Sequence, residues 1–271
     1  MSDKVRIELG SVQRTLLLPL WGRAVETQKR NPLLVDNTAV EIIGKIDYDF
    51  STIDRNINPV TQMAWIARSL HIDRAVKRFL HKHPKASFLN LGCGLDTTFE
   101  RVDNGTLVWF DLDLPDVIAL RKNFVAENKR RKFLASSMLD ESWFDRVNVE
   151  EGVMFIAAGV LYYFEEHQLR KLFSALADAF PGSELVFDAC SPLGVRVANE
   201  KVIKSGGMDE NSILKWGLVS TKDLCLWDKR IRVVDEYRLF RGMRASVGLG
   251  GILSDVLNIM SMVHLQFAEE K

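Results

Sequence analysis

Two glycines and two aspartates, at the ends of neighbouring apolar runs, are the residues best suited to chemistry. Gly92 and Gly94 follow the apolar run 88–91, and their missing Cβ atoms let a ligand approach the backbone. Asp111 and Asp113 end the next run about 20 residues later, a spacing at which a carboxylate can reach a ribose hydroxyl. Because parallel strands end at one edge of a sheet, the pattern indicates a crevice for a nucleotide-type ligand.

The loop that contains the glycines favours one class of cofactor over another. Thr97 stands where the dinucleotide fingerprint Gly-x-Gly-x-x-Gly requires its third glycine, which argues against a nicotinamide-dependent dehydrogenase. Asp96 would repel a pyrophosphate but suits a cationic sulfonium or an amino group. A lone Gly-x-Gly also occurs in plain tight turns. If the loop does bind a cofactor, these residues favour S-adenosylmethionine.

Several motifs in a fixed order resemble the leucine carboxyl methyltransferase family. They are the segments 90–98, 109–115 and 159–163 together with Arg68, and the likeness extends from about Trp21 to the C-terminus. Within the family, the sequence is most similar to the bacterial polyketide-biosynthesis O-methyltransferases. The resemblance implies that S-adenosylmethionine is the cofactor, S-adenosylhomocysteine the product, and a carboxylate or hydroxyl of a polyketide-like small molecule the acceptor.

The resemblance also implies roles for residues on the successive strand ends. Arg68 would bind the carboxylate of the cofactor as a bidentate, charge-assisted pair. Asp113 would bind the ribose, with Asp111 as the alternative. Ser137 and Met138 stand where the family commonly has Asp-Leu. Ser137 can still hydrogen-bond the adenine edge, and Met138 can pack on the ring.

The end of the apolar run 153–163 carries the remaining candidates. Ala158 replaces a glutamate of the protein-phosphatase branch, which points towards small-molecule acceptors, and Gly159 permits close approach of a ligand. Tyr162 and Tyr163 are the weak catalytic candidates, and for each a packing role competes with acid/base chemistry. The predicted cofactor-binding residues are Arg68, Gly92, Gly94, Asp96, Asp111, Asp113, Ser137, Met138, Ala158 and Gly159.

Alternating apolar runs and amphipathic segments predict the fold that positions these residues. Strands are expected at 107–112, 132–136, 153–163, 184–190, 231–240 and 262–267, after the first at 88–91, and helices at 61–80, 116–128 and 165–180. Strands that alternate with helices imply right-handed crossovers and an α/β doubly wound sheet. With the family resemblance, this predicts a seven-stranded, mostly parallel, Rossmann-like sheet of the class I methyltransferases. His264 in the last strand is expected to be structural.

The chain is predicted to form one methyltransferase domain in four segments. They are a helical N-terminal extension or lid (1–80), the cofactor-binding core (81–190), a substrate-cap insertion (191–229) and C-terminal strands with a helix (230–271). The first helix is expected to end near Arg30, because Pro32 follows Asn31. The sequence leaves open whether Trp21, Arg23 and Glu26 cover the cofactor or only pack.

Composition limits the partners. The 36 basic and 36 acidic residues give zero net charge, so the protein is not expected to bind nucleic acid. A charged N-terminus and the lack of a long apolar run predict a cytoplasmic protein that neither enters nor spans a membrane. Cys93, Cys190 and Cys225 fit neither a disulfide framework nor a metal site. A small-molecule acceptor is the expected partner of a monomer or homodimer.

Two further hypotheses remain open within the same fold. The departures at Ser137 and Ala158 are compatible with a protein that binds S-adenosylmethionine or S-adenosylhomocysteine without transferring methyl. A carboxyl methyltransferase that acts on a protein C-terminus is the other. Turnover with an acceptor separates catalysis from binding alone.

Overall fold

A computed structural model gives the fold and describes residues 4–7, 15–147, 151–200 and 212–269. The strands of these segments are β1 Val5–Arg6, β2 Ile46–Asp47, β3 Ser87–Leu91, β4 Val108–Asp113, β5 Arg131–Ala135, β6 Val153–Ala157, β7 Glu184–Cys190, β8 Ile231–Arg238 and β9 Met260–Phe267. The helices are α1 Leu17–Thr27, α2 Asn37–Lys45, α3 Ser51–Asn56, α4 Pro59–Lys82, α5 Thr98–Val102, α6 Pro115–Arg121, α7 Glu166–Ala179, α8 Pro192–Ala198, α9 Thr221–Trp227 and α10 Arg244–Val256. The 3₁₀ helices are Glu141–Arg146 and Leu161–Tyr163.

A seven-stranded sheet in the order β5-β4-β3-β6-β7-β9-β8 forms the centre of the molecule. The first five strands of that order pair in parallel, and β9 runs antiparallel to both β7 and β8. The predicted mostly parallel, seven-stranded sheet is therefore confirmed. The strand order reverses at β3, which lies between β4 and β6, and in such sheets ligands bind at the carboxyl ends on either side of the reversal.

Helices cover both faces of the sheet. On one face α4 packs its apolar side chains, among them Val76 and Phe79, against Phe88 and Trp109 of the strands. The other face is covered by α7, whose residues 169–177 pack against β6 and β7. Asn58 begins α4 by accepting a hydrogen bond from the Thr61 backbone N–H at 2.9 Å, and Pro59 occupies the first turn.

Two element ends differ most from the sequence prediction. β6 ends at Ala157 rather than near Tyr163, because the chain turns at Gly159 (φ 77°) and continues as a 3₁₀ helix. α6 ends at Arg121 rather than near Asn128. The side chain of Asn128 instead accepts hydrogen bonds from the backbone N–H groups of residues 130 and 131, which fixes the turn into β5.

The N-terminal helices form a separate apolar cluster with residues of α6 and of the loop after β3 that contains Gly92 and Gly94, which we call the glycine loop. Leu17, Leu20 and Ile42 pack there with Leu95 and Leu120. The first helix ends at Thr27, slightly before the predicted end. Its residues Trp21, Arg23 and Glu26 are buried, so all three pack; a covering role for them stays a prediction.

The helical additions follow β7 and β8. Segment 191–229 contains α8 and α9, and residues 201–211 between them lie outside the described part of the chain. α10 contains a kink at Gly248, where φ is 59° and ψ −167°. The division into four segments stays a prediction. Across the described ranges, none of the helices is both long enough and apolar enough to cross a membrane.

Candidate functional site

The loop after β3 adopts a conformation that requires its glycines. Gly92 and Gly94 have φ values of 65° and 47°, in the left-handed region that other residues rarely adopt. A Cβ atom on Gly92 would lie 2.5 Å from Cγ2 of Val160. The Gly94 backbone N–H donates to Oδ2 of Asp113 at 2.7 Å, which joins the loop to the end of β4.

We expect Gly92→Ala to lower the free energy of unfolding by about 2–4 kcal/mol, through left-handed strain and the clash with Val160. Gly105→Ala is the matched control, because Gly105 also has a positive φ (84°) but open space around its Cβ position. Strain alone should cost that variant about 1–2 kcal/mol. Urea denaturation measures both, and equal losses would contradict the tight packing at Gly92.

The two aspartates of β4 occupy different environments. Asp113 lines the central cavity and also accepts a hydrogen bond from the Leu114 backbone N–H. Burial raises the pKa of Asp113 despite these backbone hydrogen bonds. Asp111 is fully buried, and its Oδ2 lies 3.0 Å from Nη2 of Arg121 and 2.8 Å from Nε of Arg131.

The prediction that Asp111 faces the cofactor crevice is therefore wrong. Alternation along β4 places both aspartates on one face, but Asp111 lies one step deeper, beneath the loop, and is absent from the residues that line the cavity. Buried carboxylates need paired charges, and the two arginines supply them. Asp111 is a structural anchor, and Asp113 stays the candidate ribose ligand.

Asp96 keeps its charge inside the loop. Its oxygens accept hydrogen bonds from Asn90 Nδ2 at 3.1 Å, from the Thr98 N–H at 2.9 Å and from Thr98 Oγ1 at 3.1 Å. Burial alone would raise the pKa of Asp96, but Arg101 and Arg23 together with the Thr98 N–H lower it to about 2. Asp96 also lines the cavity, so a fixed negative charge faces any ligand there.

Two buried arginines hold the backbone of this loop. Arg121 donates to the Gly94 carbonyl at 2.8 Å and to the Asp96 carbonyl at 2.7 Å, and Arg23 of α1 donates to the Leu95 carbonyl at 3.0 Å. Arg23 is held in turn by Asp36, at 2.8 Å from its Nε. Three successive carbonyls are thus fixed, so the N-terminal extension contributes to the conformation of the glycine loop.

Arg68 projects from α4 towards the ends of β6 and β7. Its Nη1 donates to Oδ2 of Asp188 at 3.0 Å and to the Tyr162 hydroxyl at 3.3 Å. A Cβ atom on Gly159 would lie 2.6 Å from Nη1, so glycine is needed for the guanidinium to fit. Oδ1 of Asp188 accepts the Gly159 N–H at 2.6 Å. One buried carboxylate therefore connects α4, the turn after β6 and β7.

Asp188 is the functional candidate that the sequence reasoning missed. It is fully buried within the apolar run of β7, where an unpaired charge would be strongly destabilising. The sequence could have indicated Asp188, because an acidic residue inside an apolar run implies that a buried cation lies nearby. Both hydrogen bonds that Arg68 makes to described residues use Nη1, which leaves its other N–H groups for a ligand.

The other predicted residues surround the same space. A cavity of about 800 Å³ extends from the glycine loop to α8 and α10. With the exception of Asp111, all the predicted cofactor-binding residues line it, as do both candidate tyrosines: Arg68, Gly92, Gly94, Asp96, Asp113, Ser137, Met138, Ala158, Gly159, Tyr162 and Tyr163. Ser137 Oγ accepts a hydrogen bond from the Leu139 N–H at 3.2 Å. The binding roles of these residues stay predictions, although the structure brings them together.

The residues present fit S-adenosylmethionine. Arg68 can bind the cofactor's carboxylate, Asp113 its ribose hydroxyls and Asp96 a positively charged group. The positive φ of Gly92 and Gly94 brings backbone close to the ligand. The cavity also extends to residues of α8, α10 and the segments next to them. We call this part of the lining, formed by Val197, Ala198, Leu214, Lys215, Leu253, Leu257, Ile259 and Met260, the acceptor half.

Comparison with known proteins finds relatives over most of the chain. Residues 17–177 match a family described as leucine carboxyl methyltransferase. The tetracenomycin polyketide synthesis O-methyltransferase TcmP of Streptomyces glaucescens is 32% identical over 220 residues, which are 80% of this chain and 79% of that protein. The S-adenosyl-L-methionine-dependent methyltransferase dpfgK of Gibberella zeae is 27% identical over 206 residues, which are 69% of each protein.

Solved structures share the fold at low sequence identity. A Thermobifida fusca protein assigned to the methyltransferases superposes with a TM-score of 0.63 at 17% identity, over 92% of this chain and 94% of that one. The N-methyltransferase NodS of Bradyrhizobium japonicum, solved with S-adenosyl-L-homocysteine, gives a TM-score of 0.50 at 14% identity, over 96% and 100%. These similarities confirm the class I methyltransferase fold.

Proposed function

Because the chain belongs to the leucine carboxyl methyltransferase family and is an S-adenosylmethionine-dependent methyltransferase, we propose that it methylates an oxygen of a small, largely apolar acceptor. The acceptor oxygen is ionised when it arrives, as in a carboxylate. The relative TcmP is named for polyketide synthesis, and this supports an acceptor of polyketide type. When bound, the cofactor supplies a methyl group on a cationic sulfur, and the acceptor oxygen takes that methyl as the carbon–sulfur bond breaks.

The lining of the acceptor half supports a mostly apolar acceptor. Val197, Leu214, Leu253 and Leu257 surround it, and apolar walls with few polar groups are typical of small-molecule sites. Leu253 and Leu257 are also half exposed to solvent, as expected at the mouth of an open cavity. A wide apolar mouth suits a ring system better than a short polar chain.

One observation carries the proposal that the acceptor arrives ionised. Of the described residues that line the cavity, the carboxylates are Asp96, in the loop after β3, and Asp113, at the end of β4, and none is a histidine. Burial raises the pKa values of Tyr163 and Cys190, so neither is a base near neutral pH. A neutral hydroxyl acceptor would need a general base, whereas a carboxylate needs none.

Positive charge in the acceptor half favours the same conclusion. Lys215 lines this part of the cavity, and its Nζ lies 3.7 Å from Oε1 of Glu165. Both side chains are about half exposed, so this pair is weakly held and the ammonium can turn towards an anion. An ammonium group in this position favours an acceptor that carries negative charge.

Matched acceptors test the proposal. Purified protein is incubated with S-adenosylmethionine and either 2-anthracenecarboxylate or 2-anthracenemethanol, and the methylated products are separated by chromatography. The acid should give its methyl ester, with a rate that stays level as the pH rises above the pKa of the acid itself. Transfer to the alcohol alone would contradict the proposal, and S-adenosylhomocysteine binding without transfer to either compound would indicate a binding protein.

A further inference from the structure

Tyr162 lies where the two ends of the cavity meet. It follows the turn at Gly159, and its ring packs among Cys190 and Leu214 with only 8% of its surface exposed. Its backbone carbonyl accepts hydrogen bonds from the N–H groups of Lys215 at 2.7 Å and Trp216 at 3.1 Å. The segment that contributes Leu214 and Lys215 to the acceptor half is therefore attached directly to Tyr162.

The Tyr162 hydroxyl accepts a hydrogen bond, but its own proton has no acceptor among the described residues. Arg68 Nη1 donates to the phenol oxygen at 3.3 Å, and a guanidinium can only donate, so the phenol oxygen is the acceptor. Among the described residues, none accepts a hydrogen bond from the phenol proton. A buried tyrosine hydroxyl normally finds a partner, and the open direction here is the cavity that Tyr162 lines.

The adjacent tyrosine differs in this respect. The Tyr163 hydroxyl donates its proton to Thr15 Oγ1 at 3.3 Å, although Tyr163 lines the same cavity. The two rings meet edge to face, with centroids 5.1 Å apart. The chain therefore offers a matched pair of phenols, one with its proton committed to the protein and one with its proton available.

Tyr162 stays protonated. Burial raises the pKa of its phenol well above the usual value, and the negative charge of Asp188 acts in the same direction, against the smaller opposing effect of Arg68. A phenol with so high a pKa cannot serve as a general base near neutral pH. It can only donate or accept hydrogen bonds.

We propose that the Tyr162 hydroxyl donates a hydrogen bond to the acceptor and so holds its carboxylate against the cofactor end of the cavity. Arg68 and Asp188 act behind it as positioning residues: Asp188 fixes Arg68, and Arg68 Nη1 fixes the phenol oxygen. This role rests on the proposed function, since it assigns a contact to the carboxylate of the same acceptor; one carboxylate oxygen accepts the phenol proton and the other takes the methyl group. An anionic acceptor makes the hydrogen bond charge-assisted, which is the stronger kind.

Tyr162→Phe tests the role and removes only the hydroxyl. Titration calorimetry measures the affinity for S-adenosylhomocysteine, and then the affinity of the binary complex for 2-anthracenecarboxylate. Turnover of the same acid gives kcat and KM. We expect S-adenosylhomocysteine affinity within about twofold of wild type, and kcat/KM for the acid lower by about 10- to 100-fold, as for loss of a hydrogen bond to a charged group. Tyr163→Phe is the comparison and should lose clearly less.

Other results would contradict either the role of Tyr162 or the proposed function, and the measurements distinguish the two. Equal acid affinity and kcat/KM in wild type and Tyr162→Phe would overturn the role of Tyr162 and leave the proposed function intact. A loss confined to S-adenosylhomocysteine affinity would assign the phenol to the cofactor instead. Wild-type protein that neither binds nor methylates the acid would overturn the proposed function, and the Tyr162 contact with it.

Discussion

Arg68→Met is expected to lower the free energy of unfolding by about 3–5 kcal/mol, since it leaves the carboxylate of Asp188 buried without a cation. Methionine keeps most of the side-chain volume, so the loss reports the charge rather than a cavity. Urea denaturation at constant pH measures the change. S-adenosylhomocysteine affinity should fall as well, because the variant lacks the N–H groups that are predicted to bind the ligand's carboxylate.

A second variant separates these two effects. Arg68→Met combined with Asp188→Asn removes the unpaired charge, and the amide oxygen that replaces the carboxylate can still accept the Gly159 N–H. Most of the lost stability should return while ligand affinity stays low. Arg170→Met is the matched control. Arg170 is half exposed, pairs with Glu166 and lies over the ring of Trp227, so its loss should change stability by about 1 kcal/mol or less. A loss below about 1 kcal/mol in Arg68→Met would contradict the buried pair.

Asp113→Asn is expected to lower S-adenosylhomocysteine affinity by about 10- to 100-fold, because it removes the carboxylate that is predicted to accept a hydrogen bond from a ribose hydroxyl. Wild-type affinity should also depend on pH. Burial raises the pKa of Asp113, so its carboxylate takes up a proton at a higher pH than an exposed aspartate does. Affinity should be full above that pKa and should fall as the pH drops through it.

Calorimetry from about pH 4 to about pH 8 measures this dependence. Asp96, with a pKa of about 2, keeps its charge throughout that range and cannot produce the loss. Asp113→Asn should therefore bind weakly and with little pH dependence. A pH dependence that persists unchanged in this variant would show that another group is responsible.

Most of the candidate site could be predicted because ligands in open parallel sheets bind at the carboxyl ends of the strands. Gly92, Asp113, Ser137 and Gly159 lie at or just after the carboxyl ends of four different strands. Parallel strands bring such positions to one edge of the sheet, whatever lies between them in sequence. Their shared position on one cavity needed no knowledge of side-chain packing. The fold was predictable for a similar reason, since buried parallel strands appear in the sequence as apolar runs.

How deeply a side chain is buried, and which opposite charge it pairs with, were harder to predict from the sequence. Alternation shows which face Asp111 occupies but not that Arg121 and Arg131 converge on it, because those arginines arrive from α6 and β5. The contact between Arg68 and Asp188 spans 120 positions along the chain. Local sequence patterns do not show which residues so far apart in the chain come into contact. That depends on how the whole sheet is assembled.

The bracing of the glycine loop by Arg23 and Arg121 has a consequence for engineered chimeras between relatives. The loop's carbonyls at Gly94, Leu95 and Asp96 are held from α1 and α6, so a graft of residues 90–98 alone would carry the sequence of the loop without its supports. The transferable unit is discontinuous and includes both arginines. Cofactor preference in this fold would therefore be inherited with the first helix as well as with the loop.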